Sequence, residues 1–170
     1  MSGLSIFFCD SSGPIAWLIK RVTAGEWSHT GICIDQEYWE AHAYAGKGFR
    51  GPKPLRNLID WSFQKGNRLR FIDIPATPEQ IEQVRRWCNQ TANMEQAPYD
   101  VWQLIRIWMT RRFLGRWGFQ LKTDPAKLIC SEAAARALAV IGIDVRSQEY
   151  PSHDEIDPGE LYRALQRILG

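Results

Sequence analysis

The sequence predicts one domain of mixed α and β structure. Three observations carry that reading. Short apolar or alternating runs, among them Leu4–Cys9 and Arg68–Ile74, are bounded by turn residues in the manner of strands. Two segments open with the reciprocal cap pattern of a helix start, Thr77-Pro78-Glu79-Gln80 and Asp157-Pro158-Gly159-Glu160. A third helical segment, the Ala/Leu-rich run that follows Cys130 at once, stops near Gly142. The 170 residues, 45% of them hydrophobic, suffice for one core and suggest a single domain over 1–170.

In chain order, Leu4–Cys9 reads as a buried strand and Asp10-Ser11-Ser12-Gly13 as a turn. Pro14 opens a helix that runs to about Thr23, with Gly25 closing it and Trp17, Leu18 and Val22 as its apolar face. Glu26–Ile34, Asp35-Gln36-Glu37 and Tyr38–Tyr44 read as strand, turn and strand. A loop of two or four residues sets His29, Gly31, Glu40 and His42 on one face of that hairpin. Ala45–Pro54 holds three glycines and two prolines and reads as a loop bordering a cleft, with Lys47, Arg50 and Lys53 in it. Leu55–Phe63 is a short helix, and Arg68–Ile74 a strand ended by Pro75.

The helix after Thr77 buries Ile81, Val84 and Trp87 or Cys88, which makes Cys88 a packing residue. Asp100 caps a further helix after Ala97-Pro98-Tyr99. From Val101 to Thr123 five basic residues and no acid are interleaved with Trp102, Trp108, Phe113, Trp117 and Phe119. Such a segment suits an anionic membrane surface, an anionic polymer, or a core helix with a solvated arginine face. Ile143-Asp144-Val145 is a short extended piece, and Ser147–Asp157 a polar loop that leaves His153 on the surface. The last helix runs from the Asp157 cap to about Leu165.

Cys130 carries the chemistry. It falls at or beside the first turn of its helix, where unpaired backbone N–H groups and the positive end of the dipole favour thiolate over thiol. A thiolate is the nucleophile of cysteine hydrolases, and it needs a base. His29 supplies one, with the Glu40 carboxylate beside it on the next strand. The other cysteines, Cys9, Cys33 and Cys88, show neither C-x-x-C pairing nor metal-finger spacing and read as reduced thiols. No metal or cofactor is called for. A net charge of +2 gives no general case for binding nucleic acid. The start of the chain has no basic leader and no run long enough to span a membrane. The expectation is a cytoplasmic protein, or one exported by a phage lysis or tail system or a secretion machine.

Five pieces together, Ser28-His29-Thr30-Gly31-Ile32, Glu40-Ala41, Tyr99-Asp100, Cys130-Ser131-Glu132 and Pro158-Gly159-Glu160-Leu161, resemble the permuted papain-like hydrolases of the YiiX/YebB type. That group belongs with the NlpC-type peptidoglycan peptidases and the lecithin:retinol acyltransferase-like enzymes. The resemblance implies an α+β, circularly permuted papain-like fold, with the cysteine helix packed on an antiparallel sheet or small barrel. It also implies Cys130 as nucleophile, His29 as base and Glu40 as the residue orienting the imidazole. His42 is a rival for the third role, since acyltransferase relatives place a second histidine there. His42, Tyr99 and Ser131 are candidate substrate contacts. The segment 101–123 is longer than the family usually carries at that point. The substrate expected by analogy is an amide bond in cell-wall peptide. A lipid ester or amide, met at a membrane surface, is the alternative for a hydrolase or acyltransferase. A non-catalytic binding module on the same fold is the third reading.

Overall fold

The computed structural model describes residues 3–23, 25–41, 48–94, 130–146 and 156–170. Its strands are β1 (Leu4–Asp10), β2 (His29–Ile34), β3 (Glu37–Ala41), β4 (Phe49–Pro54) and β5 (Arg68–Ile74). Its helices are α1 (Pro14–Thr23), α2 (Leu55–Lys65), α3 (Pro78–Asn93), α4 (Cys130–Ala139) and α5 (Pro158–Leu169). The strands form one antiparallel sheet in the order β4-β3-β2-β1-β5, open at β4 and β5, so the class is α+β.

β1 is the middle of this sheet for a compositional reason. Leu4, Ile6 and Phe8 point to one face and Phe7 and Cys9 to the other, and all are buried. A strand apolar on both sides needs cover on both sides. The first face packs Ile6, Phe8, Ile32, Ile34, Trp39 and Phe49 against α3, α4 and α5. The second packs Phe7, Cys33 and Tyr38, with Leu69 and Phe71, under Leu55 and Leu58 of α2. Among the described helices, α2 thus covers one face of the sheet and α3, α4 and α5 cover the other.

The β2–β3 hairpin turns on two residues, Asp35 and Gln36, with Ile34 opposite Glu37. Asp35 takes the left-handed conformation (φ 56°) such a turn demands, and aspartate tolerates it. Its carboxylate receives the Gly3 N–H at 3.0 Å and pairs with Arg85 of α3 at 2.7 Å. Both predicted capping boxes form: Thr77 with Gln80 starts α3, and Asp157 with Glu160 starts α5. Val84 and Cys88 are the fully buried pair of the α3 stripe.

Two expectations are corrected. Ala45–Pro54 is not all loop: Phe49–Pro54 is β4, paired with β3. Its prolines are tolerated because β4 is an edge strand, where a missing N–H breaks no interior ladder. Gly51 fits because a Cβ there would collide with the Trp39 indole. In α1 the buried side is Ala16 and Ile19, one turn apart, whereas Trp17 is 64% exposed. Ile143–Val145, read as a short extended piece, lies outside the described strands, and Val145 is buried in the main core. The predicted helix after Asp100, the segment 101–123 and His153 lie outside the described residues.

Candidate active site

The hairpin register assembles the site. Gly31 stands opposite Glu40, and His29, two residues before Gly31, shares that face. The imidazole and carboxylate meet on that face: His29 Nε2 lies 2.9 Å from Glu40 Oε2. A Cβ on Gly31 would come within 2.5 Å of both the Phe7 ring and the Trp39 carbonyl oxygen. The Phe7 ring also packs edge-on against the imidazole, with centroids 5.8 Å apart.

Glu40 is gripped at its other oxygen as well. Lys53 of β4 donates from Nζ to Oε1 at 2.8 Å, and the same ammonium lies 5.4 Å from the centre of the Tyr38 ring. The carboxylate is 7% exposed. Burial alone would raise its pKa, but hydrogen bonds and charge from His29 and then Lys53 outweigh it and hold the group at about 2. Tyr38 feels the reverse: burial, and then the neighbouring Glu40 charge, push its phenol upward.

His29 balances two opposed effects. Burial disfavours the imidazolium, but hydrogen bonds to Cys130 and Glu40, reinforced by their charges, raise its pKa to about 10. The imidazole therefore stands between a thiol and a carboxylate. Since Nε2 faces Glu40, Nδ1 is the ring nitrogen left for Cys130. Each partner is the first residue of its element, Cys130 of α4 and His29 of β2.

α4 is held firmly. Cys130 is 3% exposed, and Ala133, Ala134, Ala135, Ala137 and Leu138 are buried in the main core. Small alanines let the helix lie close on β2 and β3, its neighbours in the sheet. Ser131, named above as a candidate substrate contact, is fully buried and donates from Oγ to the Ile156 carbonyl at 2.6 Å. It ties α4 to the segment that leads into α5. Glu132 is buried too and pairs with Arg136, one turn on, at 2.5 Å.

The other cysteines differ in kind. Burial, the largest influence on each, pushes Cys9 and Cys33 up to about 12 and raises Cys88 further. Sequence reasoning placed Cys130, His29 and Glu40 together but left Lys53 among loop cations. His42 and Tyr99 lie outside the described residues. Among the described residues, no group of three or more His, Cys, Asp or Glu side chains is arranged to hold a metal, and no helix is long and apolar enough to cross a membrane. No family model matches the chain, and no curated protein matches it.

Proposed function

We propose that the protein is a cysteine hydrolase of the permuted papain-like type, cleaving an amide bond, with cell-wall peptide as the first substrate class. One observation carries the reading: the His29 imidazole is hydrogen-bonded to both Cys130 and Glu40. A base fixed between a nucleophile and an orienting carboxylate is the arrangement thiol hydrolysis needs. Cell-wall peptide enters through the sequence resemblance.

In the proposed reaction His29 holds the Cys130 proton as an imidazolium–thiolate pair. The thiolate attacks the amide carbonyl, and the carbon–sulfur bond forms as the carbonyl becomes an oxyanion. First-turn backbone N–H groups of a helix point out of its N-terminal end, and those beside Cys130 would receive that charge. Collapse breaks the carbon–nitrogen bond, and His29 gives its proton to the leaving amine. Water then attacks the thioester, with His29 taking its proton, and the products are a carboxylic acid and regenerated Cys130 thiol. Glu40 keeps the ring oriented and stabilises its charge throughout.

The test is amine release from a panel of peptidoglycan peptides, wild type against Cys130→Ala. Turnover in the wild type alone is expected, and full activity in the variant would overturn the proposal. A second reading, hydrolysis or acyl transfer on a lipid ester or amide, is favoured by the acid-free basic-aromatic stretch Val101–Thr123. Sedimentation with anionic vesicles separates the two: absence of binding removes the case for a membrane surface.

A further inference from the structure

We propose that Lys53 is a positioning residue of this site: its ammonium holds Glu40 Oε1, so that Oε2 alone is left to orient His29. The role rests on the cysteine-hydrolase reading and names a fourth side chain in its machinery.

The geometry behind it is a register shift. Along β3–β4, Tyr38 faces Lys53 and Glu40 faces Arg50. Two residues of β3 thus span three of β4, and Gly51 and Pro52 share the place opposite Trp39. In a regular strand, residues three apart point to opposite faces. The extra residue cancels that alternation, and bulges of this kind re-aim side chains beside functional sites. Lys53 and Arg50 are both brought to the Glu40 side. Lys53 reaches the carboxylate, while Arg50 remains exposed.

The contact has consequences for proton placement. A carboxylate with a single partner can rotate and offer either oxygen. Here Lys53 occupies Oε1 at 2.8 Å and His29 occupies Oε2 at 2.9 Å, which fixes the plane of the group and so the plane of the imidazole. Among the described residues, the charged and titratable groups around Glu40 are His29 on β2, Lys53 and Arg50 on β4, Tyr38 on its own strand, and the Cys9, Cys33 and Cys130 thiols. Among the described residues, the cations that bond the carboxylate are Lys53 and His29. Without Lys53 the carboxylate protonates at higher pH, and His29 loses its orienting partner on the acid side.

The experiment needs no substrate. The rate of Cys130 alkylation by iodoacetamide is followed against pH, by mass spectrometry, in wild type, Lys53→Met and Lys53→Arg. In wild type Cys130 should outpace Cys88. In Lys53→Met the acid limb of Cys130 reactivity should move up by about one pH unit, the scale set by an opposite charge at this distance. Lys53→Arg should restore most of the shift. A merely structural lysine would lower the unfolding temperature and leave that limb in place, and this result overturns the role. A wild-type Cys130 no faster than Cys88 would overturn the hydrolase reading, and the role of Lys53 with it. If Lys53→Met does not fold, nitrogen NMR on the wild type decides. The Lys53 ammonium should exchange with solvent more slowly than that of exposed Lys65, until Glu40 protonates; equal exchange overturns the proposal.

Discussion

Gly31 stands directly across the β2–β3 ladder from Glu40, and the place its side chain would take is filled by the Phe7 ring that packs edge-on against His29. The two contacts a Cβ would make there are an aromatic ring and a backbone oxygen, and neither yields cheaply. Gly31→Ala should therefore destabilise by about 1–3 kcal/mol, the usual scale for forcing extra volume into a packed region. Gly31→Val should be worse. Urea unfolding measures the loss, and an unchanged midpoint in Gly31→Ala would show that the hairpin relaxes freely. Cys130 alkylation in the same variant should slow, because displacing Phe7 or Trp39 shifts the imidazole.

The four thiols should separate by reactivity. Cys9, Cys33 and Cys88 are buried and their thiols are held protonated well past neutral pH. Cys130 is nearly as buried but is bonded to a histidine. Alkylation mapped by mass spectrometry at pH 7 should therefore mark Cys130 first, and His29→Ala should erase its lead. On a turned-over amide, Glu40→Gln should cost about 10²- to 10⁴-fold in kcat/KM, the scale for losing a carboxylate that orients a catalytic imidazole. Similar labelling of all four cysteines would contradict the pairing.

How much of this was legible in the chain depended on how local the determinant was. The capping boxes at Thr77 and Asp157 are four-residue patterns, and both form as read. The shared face of His29 and Glu40 needed only the parity of a short hairpin. β4 was hidden because glycine and proline mark loops in sequence, whereas at a sheet edge they are tolerated. Lys53 was hidden more deeply. Its face depends on a register shift, which only the pairing partner reveals. Trp17 misled for a simpler reason: several apolar residues in α1 leave the helix phase ambiguous, and Ala16 and Ile19 took the buried side.

Ser131 separates a structural role from a substrate contact. Its hydroxyl donates to the Ile156 carbonyl across 25 positions of sequence, in a place without solvent. Ser131→Ala leaves that carbonyl without its donor, at a cost of about 1–3 kcal/mol. Thermal or urea unfolding should register the loss. The KM of any substrate found should not move, since the side chain presents nothing to a ligand. A raised KM with unchanged stability would return Ser131 to the substrate side.

Two titrations with opposite signs shape stability against pH. Glu40 is held at about 2 against an ordinary 4.5, so its contribution is present above pH 4.5 and is lost as pH falls towards 2. His29 is raised to about 10 from an ordinary 6.5, so its contribution is present below pH 6.5 and is lost as pH rises towards 10. Both are at full strength between about pH 4.5 and 6.5, where the pair stabilises the fold most. Glu40→Gln removes the first titration outright. It shrinks the second without abolishing it, because Cys130 also supports the imidazolium. Urea midpoints from pH 3 to pH 10 should therefore differ most between wild type and variant in that window and converge towards both ends. Two profiles running parallel would mean that the ion pair contributes nothing to folding, and that Glu40 serves the chemistry alone.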